Sequence, residues 1–163
     1  DVCGHRAQRG AIDCQHRRVD EALKAGGAAV GAKAVIETLP GMFPLACSPR
    51  LNDLFVENIK EYFPETKIED AGHFTASTDM GDISHLMPSI HPFIGGVDGG
   101  LHTKDFCVTD FDAAAILPGK VFAMNIIDLL YDEAAMAKEI LEKEKPILTK
   151  EEYLAKLESY FQS

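Results

Sequence analysis

At 163 residues the chain has room for one ordinary domain and none for two large ones. Hydrophobic residues at 46% and charged residues at 26% fit a soluble globular protein rather than a disordered one. A net charge of -10 excludes general nucleic-acid binding, which sets clustered Lys and Arg against phosphate.

Residues Val2 to Gln8 read as a short strand. From Ala11 to Val30 the pattern is helical, with Ile12, Val19, Leu23 and Val30 near helical spacing. The Ala25-Gly-Gly-Ala-Ala29 stretch weakens that helix but lets a neighbouring backbone come close. Lys33 to Leu39, rich in Val, Ile and Thr, predicts a second strand that Pro40-Gly41 ends. A strand-helix-strand unit of this length looks like part of a small α/β sandwich.

Met42 to Cys47 reads as a connector, and Ser48-Pro49 as a helix start with a capping hydroxyl and a proline in the first turn. Leu51, Leu54, Phe55, Ile59, Tyr62 and Phe63 then make one apolar face, and Pro64 stops the helix. Lys67 to Ala71 and Pro88 to Gly95 are candidate short strands on either side of a polar segment. Thr109 is the expected cap of a long helix to about Tyr131, kinked at Pro118, which lacks a backbone donor. A further helix spans Glu133 to Lys143. Thr149 and Glu152 form a capping box for a last one, with Tyr153, Leu157, Tyr160 and Phe161 on its face.

Cys3, Cys14, Cys47 and Cys107 show no paired spacing and no secretory signal precedes them, which predicts free thiols in a reducing, cytoplasmic setting. No apolar run approaches the roughly 20 residues that cross a bilayer, so no membrane partner is expected. The chain opens at Asp1 directly in an expected strand, as a piece of a longer polypeptide would. No serine nucleophile elbow, phosphate loop or dinucleotide fingerprint occurs.

Chemistry concentrates in Ala76-Ser-Thr-Asp-Met-Gly-Asp-Ile-Ser84, Pro88-Ser-Ile-His-Pro-Phe93 and Gly99-Gly-Leu-His-Thr-Lys-Asp-Phe106. Acids, hydroxyls, glycines and histidines bounded by turns suit a metal-dependent or polar-substrate site better than a core. Asp79, Asp82 and His85 fall at i, i+3 and i+6, one turn of helix apart. They are competent metal ligands, yet the spacing favours a helix start in which Ser77, Thr78 or Asp79 caps free amides. Facing a cleft, such a turn would suit a carboxylate ligand. His102 follows Gly99-Gly100, which allow close approach to a metal or substrate, although spacing alone favours a surface-loop histidine. His91, between Ile90 and Pro92, reads as a core histidine, and His5, His16 and His73 carry no pattern.

In order, Ser77-Thr-Asp-Met-Gly-Asp-Ile-Ser84, Ile90-His-Pro-Phe93 and Leu101-His-Thr103 resemble the C-terminal part of a zinc-dependent amidohydrolase and exopeptidase family. That family includes succinyl-diaminopimelate desuccinylase and the carboxypeptidases that release C-terminal glutamate. The look is nearest to amidohydrolases of the aminobenzoyl-glutamate utilisation protein B type, and it covers the chain up to about Asp132.

The resemblance implies an α/β fold. Residues 1 to 41 would be the last strand, helix and strand of a ferredoxin-like lid that dimerises, and residues 42 to 163 the C-terminal part of the catalytic domain. It also implies a parent with two divalent metal ions, expected to be zinc, that hydrolyses an amide bond of an N-acyl amino acid or small peptide. His102 matches the late histidine that ligates one metal. Ser77, Thr78 and Asp79, with Gly99 and Gly100, match the substrate-lining turns, and Arg6, with His5 as rival, matches a lid arginine that grips the substrate carboxylate. The early ligand motif, the bridging aspartate and the general-base glutamate have no counterpart here. The isolated chain is therefore expected to hold no metal stably and to be inactive. The alternative is a non-catalytic dimerisation or small-anion-binding module on an enzyme-like scaffold.

Overall fold

A computed structural model describes residues 2–69 and 77–161, with the side chains of the first helix described from Cys14 onward. The order is α1 (Val2–Ala29), α2 (Pro49–Tyr62), α3 (Met80–Leu86), β1 (Val97–Asp98), β2 (Cys107–Val108), a π-helical turn (Asp112–Ile116), α4 (Leu117–Lys143) and α5 (Lys150–Phe161). The protein is thus mostly helical, with one two-stranded antiparallel ribbon among the described residues, Val97 facing Val108 and Asp98 facing Cys107.

Two expected strands are corrected. Val2 to Gln8 is the start of α1 rather than a strand. Its Ala, Gln and Arg residues are sound helix formers, and a helix satisfies its backbone within one segment where a strand needs a neighbour. Lys33 to Leu39 forms neither helix nor paired strand among the described residues. Ala34, Ile36 and Thr38 are half-buried while Lys33, Val35, Glu37 and Leu39 are exposed, so the period of two survives without a ladder. Pro88 to Gly95 is likewise irregular, and Lys67 to Ala71 shows no strand as far as Glu69, its last two residues lying outside the described residues.

The end of α1 explains its glycines. Gly31, at φ +74°, takes the left-handed position. The amides of Gly31 and Ala32 then donate to Ala28 O and Gly27 O, closing the helix as a Schellman motif. A side chain at Gly27 would meet Ala32 O at 3.2 Å, so the close backbone approach there is made by the chain's own return.

The fold divides into two compact units, one from Asp1–Ala46, Ser77–Leu86 and Pro146–Ser163, the other from Cys47–Ala76 and Met87–Lys145. In the second, α2 buries Leu54, Phe55, Asn58 and Ile59, and Phe55 and Ile59 pack with Val121 of α4. Ser48 caps α2 as expected, its Oγ accepting from Leu51 N at 3.1 Å, while its own amide donates to Ser89 O at 2.8 Å. The α2–α4 seam is also polar: Asn58 Nδ2 donates to Asn125 Oδ1 and to Asp128 Oδ2, both at 2.8 Å.

The expected cap at Thr109 is corrected to Asp110, whose Oδ1 accepts from Ala113 N at 3.0 Å. The π turn that follows runs directly into α4, and the helical run continues through Pro118 with its irregularity in the turn just ahead of the proline. The real interruption is Tyr131–Ala134, where Asp132, Glu133 and Ala134 have φ of 49°, 54° and 61°. It lies where the sequence divides one helix from the next.

In the first unit, the α5 capping box forms as expected: Glu152 Oε2 accepts from Thr149 N at 2.8 Å, and Thr149 Oγ1 accepts from Glu152 N at 3.1 Å. Among the described residues, one helical stretch, Asp112–Lys143 of the second unit, is long and apolar enough to cross a membrane by length and composition alone.

Candidate functional site

The polar segment folds as the start of α3. Thr78 Oγ1 accepts from Met80 N at 3.3 Å, Thr78 O from Gly81 N at 2.9 Å, and Asp79 O from Asp82 N at 3.0 Å. Thr78 is thus the N-cap, the arrangement the spacing favoured. Ser77 and Asp79 are exposed, and the Thr78 hydroxyl donates to Asp79 Oδ1 at 3.3 Å.

Beyond the cap, the helix grips a distant strip of chain. Asp82 Oδ1 accepts from Phe43 N at 3.0 Å, and Ser84 Oγ accepts from Ala46 N at 3.0 Å while donating to Gly81 O at 2.7 Å. His85 is fully buried; its Nδ1 lies 2.8 Å from Gly81 O and its ring stacks at a tilt on Phe43, centroids 5.2 Å apart. Its carbonyl accepts from both Ile147 N and Leu148 N at 3.0 Å. Gly81 permits all of this: a Cβ there would lie 1.8 Å from Phe43 O.

Phe43 in turn meets Tyr153 edge-on at 5.7 Å. Partial burial raises the Tyr153 phenol above its ordinary pKa, and the Asp82 carboxylate raises it further. Asp82 and His85 therefore serve as fasteners rather than as an open ligand pair. The sequence offered no sign of this, because Phe43 and Asp82 are 39 residues apart.

His102 sits elsewhere, in the second unit, on the loop joining β1 to β2. It is exposed and left-handed, at φ 62°, preceded by Gly99 at φ 86° and Gly100. Thr103 closes the turn, its Oγ1 donating to Gly100 O at 2.8 Å. His91 is partly buried, and its Nδ1 has no hydrogen-bond partner among the described residues. Arg6 lies on α1, and His73 lies outside the described residues.

Among the described residues no three His, Cys, Asp or Glu side chains gather as a metal would require, so His102 has no co-ligands there. What the arrangement offers is a solvent-facing imidazole on a tight glycine turn, and separately a capped, internally committed helix start. Compared with family models, with curated proteins and with solved structures, the chain matches none.

Proposed function

We propose that this chain is the C-terminal portion of a dinuclear metal-dependent amidohydrolase that cleaves an amide bond of an N-acyl amino acid or small peptide. Support comes from the ordered motifs Ser77–Ser84, Ile90–Phe93 and Leu101–Thr103. The observation that carries it is His102: a non-glycine residue held left-handed and exposed behind two glycines. Such outliers gather where geometry serves a ligand.

In this reading His102 is one ligand of a centre whose other ligands and general base come from outside residues 1–163. The metals would supply an activated water and polarise the scissile carbonyl. Gly99 and Gly100, in the same unit as His102, would shape the substrate side. The parent would act in the cytoplasm as a homodimer.

A second reading has its own observation. Asp82, Ser84 and His85 are committed to internal contacts, which favours a non-catalytic module on an enzyme-like scaffold.

The test pairs the intact mass of the native protein with its zinc content. A longer native chain with bound zinc, lost on His102→Ala together with hydrolysis of N-acyl amino acids, is the expected result. A native mass equal to 17.8 kDa with no metal would overturn the enzyme reading and leave the module.

A further inference from the structure

Helix α4 is interrupted where no helix breaker stands. Neither glycine nor proline occurs between Gly119 and Pro146. Yet Asp132, Glu133 and Ala134 take left-handed φ of 49°, 54° and 61° in succession, after an extended Tyr131. Asp visits that region, but Glu and Ala are strong right-handed helix formers whose Cβ crowds the next carbonyl there. Such outliers persist only where the surroundings impose them.

The surroundings here are the two ends of α2. The arm before the bend is fixed by Val121 against Phe55 and Ile59, and by Asn125 and Asp128 on Asn58. The arm after it is drawn to the start of α2: Glu144 Oε1 accepts from Arg50 N at 3.2 Å, and Arg50 Nη2 donates to Met136 Sδ at 3.9 Å. Ile140 on this arm is buried. Glu139 feels Arg50 as well; its carboxyl lies below the ordinary range, first through Lys143 and last through Arg50. Asn58 and Arg50 are eight residues apart on α2, about 12 Å, whereas their partners Asp128 and Glu144 are sixteen apart, about 24 Å along an unbroken helix. The bend lets one helix hold both ends of a shorter one.

We infer that α4 is a two-position arm, bent while Glu144 is latched on Arg50 and a continuous helix from Leu117 to Lys143 when that latch opens. The local backbone favours the rod, because straightening removes three left-handed residues. The latch favours the bend. It is a carboxylate contact on a residue whose guanidinium also faces Glu57 at 3.1 Å with both side chains partly exposed, so salt weakens it. At about 1 M salt the screening length falls to about 3 Å. An element with two packings of one sequence is a known basis for switching. The arm does not rest on the amidohydrolase reading.

Double electron–electron resonance between spin labels on p-acetylphenylalanine at positions 120 and 138, both exposed lysines, tests it on the full chain with its cysteines intact. An unbroken helix would set these two backbones about 27 Å apart. The wild type at low salt should show a shorter distance. In Glu144→Ala the population near about 27 Å should become the larger one, with far-ultraviolet circular dichroism showing undiminished helix. Adding Ala134→Gly, which adopts φ 61° freely and the right-handed helix poorly, should return the short distance to the majority. The wild type in sodium chloride raised to about 1 M should gain the long population without any substitution. A wild type already at the rod distance would overturn the inference. So would a short distance that neither Glu144→Ala nor salt changes, or a broad distribution in Glu144→Ala that the glycine does not narrow.

Discussion

Gly81 shows how much one missing side chain can hold together. Its backbone lies against Phe43 O, so that Asp82 and Ser84 can reach Phe43 N and Ala46 N on the same strip. In Gly81→Ala the new methyl would sit inside the van der Waals radius of a carbonyl oxygen, and the strip must move away. The expected loss is about 2–4 kcal/mol, from strain plus two broken hydrogen bonds, read by urea denaturation. Gly26→Ala, where nothing lies within 4 Å, is the control and should be neutral or mildly stabilising.

Tyr153 gives a pH prediction at the same scale. Its pKa is raised in the fold, first by burial and then by Asp82, so the folded state holds the phenolic proton more tightly than the unfolded chain does. The corresponding stability is complete below the ordinary tyrosine pKa of about 10 and is lost as pH climbs through the raised value. Titration followed by phenolate absorbance should show two late-ionising tyrosines, one of which disappears in Tyr153→Phe. Asp82→Asn should lower its pKa only partway, because burial is the larger cause. Tyr62 is raised as well, chiefly by the charge of Glu61, so the Tyr153→Phe difference is what makes the assignment.

At the scale of elements, the α2–α4 seam is set by apolar packing and by one branched polar contact. Asn58 supplies both of its amide hydrogens, to Asn125 and to Asp128. Asn58→Leu would keep the branched shape and leave two acceptors without donors, at an expected cost of about 2–3 kcal/mol with an unchanged denaturant slope. Adding Asn125→Leu and Asp128→Leu should restore part of that loss, since replacing every partner with apolar groups removes the unsatisfied atoms. Absence of any recovery would mean that the network is not what fixes the seam.

Elements also show which parts of the fold were legible. The helices that carry their own stop and start signals are found where the sequence puts them: Ser48 before α2, Thr149 with Glu152 before α5, Thr78 before α3. Each signal is local, a side chain meeting an amide two or three residues on. The strands were not legible, for the opposite reason. Val, Ile and Thr from 33 to 39 carry the alternation of a strand, but pairing depends on a neighbour that the segment does not encode. The short ribbon Val97–Asp98 with Cys107–Val108 was missed because two residues per strand show no period.

For the whole molecule, the candidate site was legible only in its chemistry. The sequence grouped acids, glycines and histidines, and the structure sorts them into two units with different tasks. Asp82 and His85 tie together strips 43–46 and 147–148, while His102 stays open to solvent. Nothing in a spacing of three or six residues tells a fastener from a ligand, because the partner of each is tens of residues away.

The irregular stretch from Lys33 to Leu39 has a consequence for how the protein would come apart. With no ladder to leave among the described residues, it can enter a protease cleft without prior unfolding, and Lys33 is an exposed tryptic site. Brief trypsin treatment under native conditions should cut there before it cuts at Lys60 or Lys120, which are exposed too but lie within the hydrogen-bonded turns of α2 and α4. Delayed cutting at Lys33 in the presence of a candidate partner would then report, residue by residue, that the strip had found the neighbouring strand its sequence is written for.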